Sequence, residues 1–75
     1  MRDKVLKVLQ EAMPHIDFLA SDRLVDDGIL ESLAITEVIA TLTMEFNISI
    51  DYEEIVEENF NSIDGLANMV ARLMD

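Results

Sequence analysis

Three stretches of the sequence carry apolar residues at the spacing of an amphipathic α-helix. Within each stretch these residues recur three and four positions apart, which places them on one face of a helix. They are Val5, Val8, Leu9 and Ala12 in the first stretch, Ile35, Val38, Ile39, Leu42 and Phe46 in the second, and Ile63, Leu66, Ala67, Val70, Leu73 and Met74 in the third. The pattern predicts an all-α fold whose helices bury these faces against one another.

The first helix and the connection that follows it are bounded by residues with strong local preferences. The spacing predicts a helix over 3–13, with Asp3 as N-cap and Pro14 as the residue that stops it. Residues 14–31 form a long connection, in which Gly28 allows a positive φ just before the next helix. The apolar residues expected to pin this loop to the core are Phe18, Leu24, Ile29 and Leu30.

The second helix is predicted over 32–46, and Asn47 is expected to end it in the left-handed conformation. After it, Asp51 and Glu54 have the spacing of a capping box. This spacing predicts a short third helix over 52–57.

The last helix is expected to be capped by Asn61 or Ser62. The predicted fold class is therefore all-α, a small four-helix bundle of three longer helices and one short one, with a long loop between helices 1 and 2. At 75 residues the chain has the length of one small domain, which we expect to span residues 1–75.

The acidic residues are concentrated in the last two thirds of the chain. The net charge is −11, and residues 24–71 contain no lysine or arginine. Such a surface repels nucleic acid and anionic lipid and attracts basic patches of other proteins. Since no apolar run is long enough for a membrane span either, we expect a cytoplasmic protein that has no membrane span and no nucleic-acid partner.

Several kinds of chemistry are excluded by what the sequence lacks. The chain has no cysteine and only one histidine, His15, so it has no thiol nucleophile and no cluster of histidine ligands. A calcium-binding loop with Gly28 at its sixth position would place Arg23, Val25 and Ala34 at ligand positions, which excludes that site. No nucleophile and base are spaced as in a known active site, so no enzyme is predicted.

The predicted second helix is apolar on two sides. At 100° per residue, Leu33, Glu37, Ala40 and Met44 lie opposite its core stripe. Because a small domain rarely buries a helix all round, we expect this second face to meet a partner protein.

Ser32 stands where the long loop meets the second helix, between Glu31 and Leu33. Serine at such a position is typical of an N-cap, whose hydroxyl accepts a hydrogen bond from a backbone N–H of the first turn. A phosphate ester on Ser32 would equally suit the positive end of the helix, where free N–H groups favour an anion. The junction alone leaves both interpretations open.

The chain as a whole resembles the acyl carrier protein family, which includes peptidyl and D-alanyl carrier proteins. The central segment DDGILESLAITEV, residues 26–38, is similar to the family's Asp-Ser-Leu attachment motif at the start of helix two. The segments EFNISI and NFNSIDGLANMV resemble the end of that helix and the start of the last one.

The resemblance implies that Ser32 accepts a 4′-phosphopantetheine arm from coenzyme A, and that the thiol of this arm carries an acyl or aminoacyl group as a thioester. The chain would then be a monomeric carrier and not an enzyme. Its partners would be a phosphopantetheinyl transferase, an acyl- or aminoacyl-activating ligase and downstream synthases. Their basic patches would meet the acids of helix two and of the loop after it. The residues expected to bind these partners are Glu31, Leu33, Glu37, Ala40 and Met44.

The sequence departs from the family pattern at two positions. Glu31 stands where the family has aspartate, and Ala34 stands where fatty-acid carriers often have an acid. The segment GILES is closer to D-alanyl and discrete aminoacyl carriers. Cargo from fatty acid, polyketide or non-ribosomal peptide synthesis and a D-alanyl or other aminoacyl cargo therefore remain alternatives, as does an unmodified acidic helical module that binds a basic partner.

Overall fold

The computed structural model describes residues 1–74, which form four α-helices and one 3₁₀ turn. The helices are α1 (Arg2–Ala12), α2 (Ser32–Phe46), α3 (Glu57–Phe60) and α4 (Ile63–Leu73), and the 3₁₀ turn spans Tyr52–Glu54. No strand occurs within the described residues. The predicted all-α bundle of three longer helices and one short one, with a long loop between α1 and α2, is confirmed.

The bounds of α2 are those that the sequence predicts, and those of α1 are shifted by one residue. Asn47 ends α2 with φ 52° and ψ 50°, in the left-handed region. The N-cap of α1 is Met1 and not Asp3, because the Met1 carbonyl already accepts the N–H of Val5 at 3.0 Å. Asp3 lies in the first turn, where its charge suits the positive end of the helix.

The prediction of one short helix over 52–57 is wrong, because the chain forms the 3₁₀ turn and α3 as two separate pieces. A capping box needs the Glu54 side chain at the N–H of Asp51. Instead, the Glu54 carboxylate accepts a hydrogen bond from Arg72 Nη1 at 2.9 Å and one from the side-chain amide of Asn59 at 3.2 Å, and Arg72 Nη2 lies 2.9 Å from it as an ion pair. The carboxylate is thus held towards α4, and extended backbone at Val56 separates the two pieces.

The core lies between α1, α2, α4 and the long loop. α1 packs against both α2 and α4, and α3 packs against α4. The loop contributes buried side chains as expected, except that Ile29 is only half-buried and Ile16 is buried in addition. The fully buried side chains include Val5, Leu9, Met13, Phe18, Leu24, Val38, Leu42, Leu66, Met69 and Val70.

The predicted core of α4 needs two corrections. Met69 is completely buried although it lies beside the predicted stripe, whereas Met74 is half-exposed. α4 has neighbours on two sides, so its buried face is wider than one stripe, and Met74 lies beyond the last helical residue, Leu73. In α1, Ala12 is exposed for a similar reason, since it is the last residue of its helix.

Candidate functional site

The candidate site lies where the long loop ends and α2 begins. Gly28 adopts φ +76°, and the turn around it is closed by the bond from its N–H to the Val25 carbonyl at 3.1 Å. The N–H of Leu30 then donates to the carbonyl of Leu24 at 2.9 Å, and both leucine side chains are buried. The loop end is thereby fixed to the core immediately before Ser32.

Ser32 is the first residue of α2, and its side chain is exposed. The N-cap position belongs to Glu31, whose extended backbone lets its carbonyl accept the N–H of Ile35 at 2.9 Å. The interpretation of Ser32 as an N-cap is therefore wrong. Within residues 1–74 no hydrogen bond engages the Ser32 hydroxyl, and only its carbonyl is bonded, to the hydroxyl of Thr36 at 3.0 Å.

The start of α2 offers hydrogen-bond donors to an anion at Ser32, although the carboxylate of Glu31 stands beside it at the N-cap. The N–H groups of the first helical residues, Ser32, Leu33 and Ala34, precede the first intrahelical bond and point out of the helix end. No acidic residue lies in the first turn of α2. A phosphate ester on the Ser32 oxygen would therefore meet free N–H donors and the positive end of the helix dipole.

The outer face of α2 points to solvent, as the helical spacing predicts. Leu33 is 76% exposed and Met44 is 84% exposed, and Glu37 and Ala40 between them are also exposed. Opposite this face, the buried residues of the helix are Val38, Leu42 and Phe46. The chain thus presents an apolar surface with one carboxylate on the same helix that begins with Ser32.

A small apolar cavity of about 120 Å³ opens beside Ile35, which lies one turn after Ser32 along α2. It is lined by Val25, Ile35, Ile55, Val56 and Phe60, with Glu57 at its edge. Sequence reasoning missed this cavity, since its lining comes from three separate segments, namely the long loop, α2 and residues 55–60, and follows no single helical period. The only available signal was the pair Ile55 and Val56, two apolar residues inside an acidic stretch, which are both partly exposed.

Two carboxylates face each other beside this cavity. The pKa of Glu57 is raised, first because its carboxyl shares a hydrogen bond with Asp26 and then because the two negative charges repel. Asp26 also lies 3.6 Å from the guanidinium of Arg23. In contrast, the hydrogen bond from Arg72 lowers the pKa of Glu54.

The remaining candidate groups form no further site. His15 is exposed in the turn after α1. In the part of the chain that the structure describes, no three acidic or histidine side chains are close enough together to hold a metal ion. Among the helices of residues 1–74, none has the length and apolar character needed to cross a membrane.

Comparison with known proteins gives one consistent relationship. The chain is 27% identical to a D-alanyl carrier protein of Streptococcus suis strain 05ZYH33, over 99% of this chain and 95% of that protein. The D-alanyl carrier protein of strain 98HAH33 gives the same identity and coverage. No protein-family model matches the chain, and no solved structure gives a significant match. The similarity over nearly the full length confirms the resemblance to the acyl carrier protein family.

Proposed function

We propose, from the relationship to carrier proteins, that this chain is a single-domain carrier whose Ser32 bears a 4′-phosphopantetheine arm. The observation that carries the proposal is the Ser32 hydroxyl, which is exposed at the first position of α2 and free of hydrogen bonds within residues 1–74. A hydroxyl in this position can reach the active site of another protein without any part of the core opening.

The residues around Ser32 fit a phosphodiester at this position. The Ser32 oxygen would form the ester bond, and the N–H groups at the start of α2 would donate to the phosphate oxygens. The arm supplies the thiol on which an acyl or aminoacyl group is carried as a thioester, which agrees with the absence of cysteine from the chain. Glu31 holds the N-cap position, so the first turn forms without using the serine hydroxyl.

In this proposal the chain is not an enzyme, and its chemistry is done by partners in the cytoplasm. They are a phosphopantetheinyl transferase, an acyl- or aminoacyl-activating ligase and downstream synthases, which act on a monomeric carrier. The exposed apolar side chains of Leu33 and Met44, with Ala40 between them, suit the apolar centre of such a contact. The carboxylates of Glu31 and Glu37 on the same face suit a basic rim.

Among the possible cargoes, the observations favour a short one, such as a D-alanyl or other aminoacyl group. The relatives are named D-alanyl carrier proteins. The cavity beside Ile35 measures about 120 Å³. An apolar cavity of roughly 150 Å³ holds a molecule the size of benzene, so this one would have to open further to hold a long fatty acyl chain.

The attachment is tested by incubating the chain with coenzyme A, magnesium and a broad-specificity phosphopantetheinyl transferase and measuring the intact mass. The wild-type chain is expected to gain the mass of one arm, and Ser32→Ala is expected to gain none. Ser49→Ala is the matched control, because Ser49 is also exposed but lies outside a helix start. A wild-type chain that stays unmodified, or a Ser32→Ala chain that gains the arm, contradicts the proposal.

The partner face is tested by Met44→Glu, with Met74→Glu as control. Both methionines are exposed, but only Met44 lies on the outer face of α2. We expect Met44→Glu to lower the rate of loading by a partner enzyme while the helical circular dichroism stays unchanged, because a charge is placed in an apolar contact. If Met44→Glu and Met74→Glu are loaded at equal rates, the outer face of α2 is not part of the contact with the partner enzyme.

A second function is favoured by the same exposed face, namely an unmodified acidic module that binds a basic partner. Chain purified from its native host distinguishes the two. If most of it carries no arm while a partner remains bound, the interaction module is the better description.

A further inference from the structure

Asn61, between α3 and α4, holds three successive residues of the long loop. Its backbone carbonyl accepts the N–H of Leu24 at 2.7 Å. Its side-chain oxygen accepts the N–H groups of Val25 at 2.9 Å and Asp26 at 3.2 Å, and its side-chain N–H₂ donates to the Asp26 carboxylate at 3.3 Å. One side chain therefore satisfies two backbone donors and one carboxylate of a segment 35 residues away in sequence.

The segment that Asn61 holds leads directly to Ser32. The carbonyl of Leu24 accepts the N–H of Leu30 at 2.9 Å, so the turn around Gly28 is closed on a residue that Asn61 fixes. Only Glu31 separates Leu30 from Ser32. Asn61 is thus connected to the start of α2 through two backbone hydrogen bonds, although it does not touch Ser32.

An amide is the side chain that these contacts require, because it offers an acceptor and a donor together. Aspartate at position 61 would keep the acceptor for the N–H groups of Val25 and Asp26 but would face the Asp26 carboxylate with a second negative charge. Alanine would leave both N–H groups without their acceptor and would retain only the backbone bond to Leu24.

We propose that Asn61 is a positioning residue for modification of Ser32, which it serves by holding residues 24–30 in the conformation that presents the start of α2. This inference rests on the proposed carrier function. When the side-chain hydrogen bonds of Asn61 are lost, residues 24–30 adopt several conformations, and only some molecules keep the one that exposes Ser32 to the transferase. The apparent affinity for the transferase then falls in proportion to the fraction of molecules in that conformation. The effect is expected in KM, because the hydroxyl that reacts is unchanged.

The chain provides a matched control in Asn59. Asn59 is half-buried like Asn61 but lies within α3, and its side chain donates to the carbonyl and carboxylate of Glu54, at 2.8 Å and 3.2 Å. It therefore holds the 3₁₀ turn in the way that Asn61 holds the long loop. Asn59→Ala removes two side-chain hydrogen bonds, against three for Asn61→Ala, and neither of the two involves residues 24–30.

The experiment measures arm transfer to the full chain by a broad-specificity phosphopantetheinyl transferase, with coenzyme A and magnesium, at varied carrier concentration. We expect Asn61→Ala to raise KM roughly tenfold with kcat nearly unchanged, equivalent to the loss of one or two net hydrogen bonds. Asn61→Asp is expected to give a smaller rise, and Asn59→Ala none. In amide hydrogen exchange, Asn61→Ala should speed exchange at residues 24–32, whereas Asn59→Ala should speed it at residues 51–56.

The outcomes separate this inference from the function on which it rests. If the wild-type chain is not modified, the proposed function fails and the positioning role fails with it. If the wild-type chain is modified but Asn61→Ala keeps the wild-type KM, or Asn59→Ala raises KM equally, only the positioning role is overturned. If Asn61→Ala does not fold, Asn61→Asp is tested in its place. An unchanged KM and unchanged exchange at residues 24–32 in Asn61→Asp would then overturn the positioning role.

Discussion

A serine stands at the start of both α2 and α4, but Ser32 is the first residue of its helix and Ser62 precedes the first residue of its helix. The hydroxyl of Ser62 caps α4, since it accepts the N–H of Gly65 at 2.9 Å. The hydroxyl of Ser32 is left exposed because Glu31 takes the capping position of α2. A serine before the first helical residue is used by the helix, whereas a serine at the first helical residue remains available to another molecule.

The two helices also differ in how much of their surface is covered. α4 has neighbours in α1 and α3 and buries five side chains, whereas α2 buries three and packs mainly against α1. α4 is therefore part of the framework, and α2 presents one end and one face to solvent. This division predicts that equal substitutions on the two helices have unequal consequences for stability and for modification.

The largest expected difference is between two methionines. Met69 on α4 is completely buried, whereas Met44 on α2 is 84% exposed. Met69→Ala should lower the free energy of unfolding by about 2–5 kcal/mol, because it leaves a cavity in the core. Met44→Ala should change it by less than about 0.5 kcal/mol. Urea unfolding followed by circular dichroism measures both, and equal losses would show that the outer face of α2 is covered.

A smaller effect is expected at Gly65, where α4 approaches α3 closely. A Cβ atom at this position would lie 2.6 Å from the backbone carbonyl oxygen of Glu58. Gly65→Ala should therefore destabilise the fold by about 1–3 kcal/mol, as overpacking does. The clash outweighs the gain in helix propensity, which is only about 1 kcal/mol.

The control for Gly65 is Asn68→Ala on the same helix. Asn68 is exposed, so this substitution changes helix propensity without a clash and should stabilise the fold slightly. If thermal unfolding shows Gly65→Ala to be as stable as Asn68→Ala, then α3 and α4 are not in close contact in solution.

The two serines give the next prediction. Ser62→Ala should cost about 1 kcal/mol through loss of the cap, which corresponds to roughly 4–8 °C in Tm, and should still accept the arm. Ser32→Ala should change stability by less than about 0.5 kcal/mol, since its hydroxyl caps nothing, and should accept no arm. Calorimetry combined with intact mass measures both properties. A loss of stability in Ser32→Ala would mean that its hydroxyl supports the helix in solution.

The bounds of α2 were predictable because its signals are local and agree. The apolar period runs without a break from Ile35 to Phe46, and Asn47 tolerates the left-handed conformation that ends the helix. The burial of Met69 was not predictable in the same way. It depends on α3 and α1 covering two sides of α4, and neither neighbour is encoded in the sequence of α4 itself.

The candidate site also has features that follow from the local sequence and features that depend on distant residues. The position of Ser32 at a helix start follows from local pattern, but the choice between cap and free hydroxyl does not. In the fold, Glu31 takes the extended conformation of the N-cap, directly after Leu30, whose N–H is bonded to the Leu24 carbonyl. The roles of Asn61 and Glu54 were missed for a related reason, since both act on residues far away in the sequence.

The smallest expected effect concerns Glu57, the first residue of α3, which lies between α2 and α4 in the sequence. Its carboxyl shares a hydrogen bond with the carboxylate of Asp26 and is repelled by its charge, so the pKa of Glu57 is raised above its ordinary value, although the guanidinium of Arg23 acts in the opposite direction. A pKa raised by folding means that the protonated form is favoured in the folded state. This group therefore adds stability in acid, and the contribution is lost as the pH rises through the raised pKa.

Glu57→Gln should consequently raise Tm at pH 7, where it removes the repulsion from Asp26, and this gain should shrink as the pH falls towards 4. Glu53→Gln is the matched control, because it removes the same charge from an exposed position in the 3₁₀ turn. The pair with Arg72 acts in the opposite direction, since the lowered pKa of Glu54 means that its contribution is lost in acid. Tm is measured between pH 4 and 7 for the wild-type chain, Glu57→Gln and Glu53→Gln. The difference between the two variants separates the repulsion at Glu57 from the effect of net charge. If the two variants shift Tm equally at every pH, only the net charge matters and the contact between the loop and α3 carries no specific repulsion.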